Sequence, residues 1–222
     1  MKAIIFDLDG TLLNRDESVK QFITAQYDRF YMHLSHIPKE QFCERFIELD
    51  CRGYVWKDLV YESLIKYFHI KGISTSDLLE DYMECFHLYC VPFPNLISML
   101  EALKKSSILI GMITNGKGQF QMDNIVALGI QSYFDTILIS ELEGMKKPDP
   151  FIFQKALQQL DVQAIETIFV GDHPINDIEA AKKVGLQTIW KKDNQWNDVK
   201  ADYIIDDLAE IIPIMLNPND AT

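Results

Sequence analysis

Six short apolar runs, each stopping at a polar or glycine-containing turn, recur along the chain with helical stretches between the later ones. The runs read AIIFDLDG, ILIGMITNG, TILIS, TIFVGD, TIWK and ADYIID. Runs of this length, closed by turn residues, are the pattern of buried strands. Helical spacing of apolar residues follows from Leu96 to Lys104, Gln119 to Leu128, Asp149 to Leu160, Asp177 to Val184 and Leu208 to Leu216. Strand then helix, repeated, predicts an α/β fold: a mostly parallel, Rossmann-like sheet flanked by helices. Gly129 and Gly185 stand where two of the helices should stop, and Asp149-Pro150 offers a cap followed by a first-turn proline.

One stretch breaks the alternation. From Asn14 to about Cys90 the chain should make a brief strand-to-helix connection, yet it is far too long for a structureless loop. Val19, Phe22, Ile23, Tyr27, Phe30 and Leu34 fall at helical spacing, as do Phe42, Phe46 and Leu49, then Val60, Leu64, Tyr67 and Phe68, then Leu78, Leu79, Tyr82 and Phe86. Four amphipathic helices therefore form an inserted domain over residues 14–93, while residues 1–13 and 94–222 make the core. Val91-Pro92-Phe93-Pro94 reads as a rigid extended return segment, pairing with Leu13 to Arg15 as a two-strand hinge about which the insertion opens and closes.

Charge narrows the partners. A formal net charge of −12 disfavours a broad nucleic-acid or anionic-membrane footprint. No apolar run approaches the ~20 residues a spanning helix needs, and Asp7 and Asp9 arrive before a signal-peptide core could form. The expectation is a cytoplasmic protein with no obligate protein partner. Cys43, Cys51, Cys85 and Cys90 lack metal-ligand spacing and read as reduced structural thiols.

In an open parallel sheet, ligands sit beyond the carboxyl ends of the strands. There the first run ends in Asp7-Leu8-Asp9-Gly10-Thr11, the second in Thr114-Asn115-Gly116, and the fourth in Gly171-Asp172 with Asp177 five residues on. Lys146-Lys147 precedes Pro148-Asp149-Pro150 after the third. Each piece alone has an ordinary reading as a turn, a cap or a solvated lysine. Together, the carboxylates would repel one another at one sheet edge unless a cation held them, and an all-oxygen set suits Mg²⁺.

The ensemble resembles the haloacid dehalogenase-like hydrolase superfamily, the magnesium-dependent aspartate-nucleophile phosphatases. FDLDGTLLN, ITNG, KKPDPFIF and VGDHPINDIEAAKKVG match its four motifs in order, and the insertion matches its helical cap type in position and length. The resemblance implies that Asp7 is the nucleophile and Asp9 the acid and base. It implies that Thr114 and the Asn115 backbone amide hold the phosphoryl oxygens, and that Lys147, rather than Lys146, neutralises charge. Asp7, the Asp9 main-chain carbonyl and Asp172 would hold the Mg²⁺, with Asp177 acting from just outside. The acid at Asp9 favours phosphate-ester hydrolysis over carbon–halogen or carbon–phosphorus cleavage.

The implied substrate is a small phosphorylated metabolite, a nucleotide or a sugar phosphate. A phosphomutase on the same fold, or a non-catalytic phospho-receiver, shares the motifs. In the insertion, Arg29, Arg45, Arg52, Trp56, Lys57, His33 and His36 read mainly as surface or packing residues, with the neighbourhood of Gly53 the most site-like.

Overall fold

A computed structural model describes residues 1–216; the last six residues of the expected core lie outside them. Six strands form one all-parallel sheet: β1 (Ala3–Phe6), β2 (Leu109–Thr114), β3 (Thr136–Ile139), β4 (Thr167–Gly171), β5 (Gln187–Lys191) and β6 (Tyr203–Ile205), in the order β3-β2-β1-β4-β5-β6. β1 lies at the centre, and all four of its residues are buried because helices cover both faces. Ile5, Ile113, Leu138 and Phe169 from four strands pack with Ile152, Phe153 and Ala156 of the helix Pro150–Leu160.

That order places β1 between β2 and β4, with Phe6 beside Met112 on one side and Val170 on the other. The chain crosses from one half of the sheet to the other between β3 and β4, so the strand order reverses at the boundary of β1 and β4, the position where open α/β sheets leave a crevice. The turn leaving β1 is therefore flanked by the turns leaving β2 and β4.

The expected helices form, with three differences, the first being that the helix expected through Leu34 ends at Arg29, where Phe30 leaves helical geometry and a separate short helix, Tyr31–Leu34, follows. The helix expected from Asp177 begins earlier, as a wide π-type turn over Pro174–Glu179 that continues into an α-helix at Ala180–Val184. Proline at its first position and the His173 ring, which accepts the Ile175 and Asn176 amides at 3.1 Å each, start it ahead of the apolar periodicity. The last helix is split into a 3₁₀ turn, Leu208–Glu210, capped by Asp207, and an α-helix, Ile211–Leu216.

The chain divides into two compact units, Met1–Asn14 with the chain from Pro92 onward, and Arg15–Val91. Asn14, Pro92 and Phe93 thus go with the sheet. Leu13 bridges to Pro92 in antiparallel fashion, and the Phe93 amide donates to the Leu12 carbonyl at 3.0 Å.

Within Arg15–Val91 the principal helices are Arg15–Arg29, Lys39–Asp50, Lys57–Phe68 and Thr75–Cys85, with a short helical turn at Tyr31–Leu34. Phe22, Phe42, Phe46, Tyr61, Leu64, Leu78 and Phe86 form their buried interior. Ser74 and Asp77 cap the last helix reciprocally. The basic side chains are mostly paired: Arg29 with Asp81, Arg45 with Glu48 and Arg52 with Asp16. Cys51, Arg52 and Gly53 break the chain between two helices with positive φ at all three residues. All four cysteines are free thiols.

Lys57 and Asp50, each 2% exposed, form a buried ion pair to which Arg15 adds a hydrogen bond of 2.8 Å. Breaking such a pair from one side strands a charge in the interior. Asp50→Ala is accordingly expected to lower stability by about 3–5 kcal/mol, read as a shift of the urea midpoint followed by circular dichroism. A change below ~1 kcal/mol would show that Lys57 finds solvent once released.

Candidate active site

Asp7 is the first residue beyond β1, and its amide still donates to the Val170 carbonyl of β4 at 2.9 Å. The strand pairing therefore sets where its side chain emerges. The Leu8 carbonyl accepts from the amides of Thr11, Leu12 and Leu13 at 3.2, 2.9 and 2.9 Å, winding the chain into a tight turn. Thr11 Oγ1 donates back to Asp7 Oδ2 at 3.2 Å.

Lys147 is 3% exposed and donates to Asp7 Oδ1 at 2.5 Å and to Asp177 Oδ1 at 2.6 Å, while Lys146 is exposed. A loop residue needs such placement to be imposed, and Asn115 imposes it. Its side-chain Nδ2 donates to the Lys147 carbonyl and its Oδ1 accepts from the Lys147 amide, both at 2.9 Å. The end of β2 thereby holds the lysine's backbone from both sides. This use of the Asn115 side chain is not legible from a Thr-Asn-Gly turn.

Asp177 reaches the same point from the π-type turn after β4, where its Oδ2 accepts from the His173 amide at 3.0 Å. Gly171 makes that approach possible, since a Cβ there would collide with Asp177 Cβ. Gly10, at φ +86°, likewise clears room for Asp172, whose Oδ2 would lie 2.5 Å from any added Cβ. The Trp190 indole donates to the Asp172 carbonyl at 2.8 Å and fixes its backbone.

Asp7, Asp172 and Asp177 each offer a carboxylate oxygen within 4.8 Å of the others. Three carboxylates against one ammonium leave two negative charges where the dielectric is low. Burial, opposed by Lys147 and reinforced by Asp177, pushes Asp7 up to about 7. Burial and the neighbouring Asp7 and Asp177 charges hold Asp172 well above the usual carboxylate range. Burial works against the Lys147 ammonium, but Asp177 and Asp7 outweigh it and keep it charged. Among the described residues no side chain or amide donates to the Asp172 carboxylate. An all-oxygen cluster with excess negative charge and one carboxylate lacking a donor has the chemistry of a hard divalent-cation site.

Asp9, half-buried, lies two residues beyond Asp7 and outside this cluster. Its Oδ2 accepts from Gln121 Nε2 at 2.6 Å. Thr114, at the end of β2, is buried and also bonds to Gln121, through Oγ1 at 2.8 Å. The turns after β1, β2 and β4, and the loop carrying Lys147, thus converge, with Asp7, Asp172 and Asp177 in one cluster and Asp9 outside it. Gln121 itself escapes a reading by motif. Its signal is a polar residue on the apolar face of a helix, in step with buried Asn124 and Ile125.

The profile of the haloacid dehalogenase-like hydrolases matches residues 4–191. A glyceraldehyde 3-phosphate phosphatase of Methanocaldococcus jannaschii is 31% identical, with 98% of each chain covered. One of Pyrococcus furiosus is 28% identical over 99% of this chain and 95% of its own length. The solved structure of a HAD phosphatase from Thermococcus onnurineus superposes with a TM-score of 0.69 at 28% identity, covering 97% of this chain and 98% of the other.

Proposed function

The chain belongs to the haloacid dehalogenase-like hydrolase family, and from that premise we propose that it is a magnesium-dependent phosphatase of small phosphomonoesters working through a phospho-Asp7 intermediate. The observation that carries this reading is Lys147 buried between Asp7 and Asp177, with Asp9 held two residues beyond Asp7. A carboxylate attacks phosphorus only when its charge is balanced and a lone pair remains for the new bond; Lys147 balances Asp7 through Oδ1, and Oδ2, whose donor Thr11 lies at 3.2 Å, is the less engaged oxygen.

An Asp7 oxygen attacks phosphorus as the bond to the leaving alkoxide breaks, and Asp9 gives that alkoxide a proton. Asp9 then takes a proton from water as the water attacks the same phosphorus, releasing inorganic phosphate and restoring Asp7. Thr114 Oγ1 and the Asn115 amide are the donors we assign to the phosphoryl oxygens, and Lys147 neutralises their charge. Asp7, Asp172 and the Asp9 main-chain carbonyl would hold Mg²⁺, with Asp177 just outside. When bound, the ion supplies charge neutralisation on the transferring phosphoryl group. No membrane-crossing helix occurs among the described residues.

For substrate we propose a small sugar-type phosphomonoester, with glyceraldehyde 3-phosphate first, because full-length relatives carry that specificity in their names. The test is turnover in ¹⁸O-labelled water over triose phosphates, hexose phosphates and nucleoside monophosphates. Each phosphate released should carry one solvent oxygen after a single turnover, with the triose phosphate consumed fastest. Interconversion of hexose 1- and 6-phosphates without phosphate release would replace the phosphatase by a mutase. Silence across the whole panel would favour a phospho-receiver.

A further inference from the structure

Gln121, on the helix Gly118–Ala127, is 2% exposed. Its Nε2 faces three acceptors: Asp9 Oδ2 at 2.6 Å, Thr114 Oγ1 at 2.8 Å and the Asn115 carbonyl at 3.2 Å. A carboxamide nitrogen has two protons, so the two shorter contacts take the larger share. Its Oε1 accepts from Nδ2 of Asn124, itself fully buried, at 3.2 Å. Turning the amide over would set oxygen against the Asp9 carboxylate and Asn124 Nδ2 against an NH₂ group. Neither arrangement bonds, so only one orientation fits.

We infer that Gln121 is a positioning residue for proton transfer, holding the Asp9 carboxyl and the Thr114 hydroxyl in one hydrogen-bonded frame. The inference rests on the proposed role of Asp9. With Oδ2 tied to Gln121, Oδ1 is the oxygen left to carry the proton toward the leaving group. Because Thr114 Oγ1 accepts from Gln121, its own proton is free to donate to a phosphoryl oxygen. The frame exists before substrate arrives, so little reorganisation remains for the reaction. A glutamine needed only to satisfy the Asn115 carbonyl would not have to touch Asp9 at all. Gly116 belongs to the same frame, since a Cβ there would lie 2.7 Å from Gln121 Cγ and 2.9 Å from Nε2.

Positioning the acid matters most when the leaving group must be protonated. The experiment therefore compares kcat/KM for an alkyl phosphate, whose alkoxide needs a proton, with that for p-nitrophenyl phosphate, whose phenolate leaves as a stable anion. For Gln121→Met, matched in length but without a donor, the alkyl ester should lose roughly 10–100-fold more than the aryl ester. Gly116→Ala should act in the same direction by displacing Gln121, and it keeps the test alive if the Met variant does not fold. Asp9→Asn is the control, and should show the largest difference between the two esters. Equal losses on both esters in the folded Gln121 and Gly116 variants, beside a selective loss in Asp9→Asn, would overturn the inference and leave the function standing. Equal losses in Asp9→Asn as well would remove Asp9 as the acid and the inference with it.

Discussion

Asp7→Asn is expected to abolish phosphate release, by roughly 10⁴-fold or more, the scale on which loss of a nucleophile acts. The amide nearly matches the carboxylate in shape but has no charge to bring to phosphorus. Its effect on stability should run the other way. Burial raises Asp7 from an ordinary 3.8 to about 7, so the folded chain prefers the protonated form. Ionising the group therefore costs stability, and that cost sets in as pH rises from the unfolded value through about 7. At pH 8, without added metal, the variant should melt at the same temperature as the parent or higher, while Asp177 keeps Lys147 paired. Well below pH 3.8 both proteins carry a neutral group at position 7 whether folded or unfolded, and the difference should vanish. Calorimetry across this range, alongside a phosphate-release assay, checks both halves. Activity above a few per cent of the parent would mean that another group attacks phosphorus.

That such a variant can be named from sequence reflects which contacts are local. Each strand is announced by its own apolar run, and strand pairing brings Asp7, Thr114 and Asp172 to one sheet edge, because β1 lies between β2 and β4. Lys147 is different. It reaches Asp7 across 140 residues of sequence through the two-point hold of the Asn115 side chain, an interaction with no periodicity to betray it. Gln121 is hidden for a similar reason, since its partners lie on two other elements. The early start of the helix at Pro174 is set by the His173 ring accepting two amides, a local bond that apolar spacing does not report. In Arg15–Val91 the helices are legible from Phe42, Phe46, Leu64 and Leu78. The pairing of Lys57 with Asp50 is not, because a charged residue on a helix ordinarily faces solvent.

Removing divalent cations should also cost most of the turnover, and for a reason that begins in the resting protein. Asp7, Asp172 and Asp177 face one ammonium, so ionising all three would leave two negative charges uncompensated before a dianionic phosphate approaches. Adding that substrate raises the repulsion further, at a place where burial keeps water from screening it. A divalent ion held by these carboxylates would offset the excess and favour the ionised Asp7 that the proposed attack requires. Treatment with a chelator should therefore cut turnover by at least ~100-fold, with Mg²⁺ restoring it. Binding can be read without catalysis. Mg²⁺ at 100 times its dissociation constant should stabilise the parent by about 2.7 kcal/mol, visible as a rise in melting temperature. Asp172→Asn should lose most of that rise, because it removes the carboxylate that has no other donor among the described residues. Ca²⁺, with its larger and looser coordination, should bind and yet inhibit by engaging the Asp7 oxygen needed for attack. Full activity in chelator would mean that Lys147 alone balances the site, and an equal Mg²⁺ shift in Asp172→Asn would mean that the ion is held without Asp172.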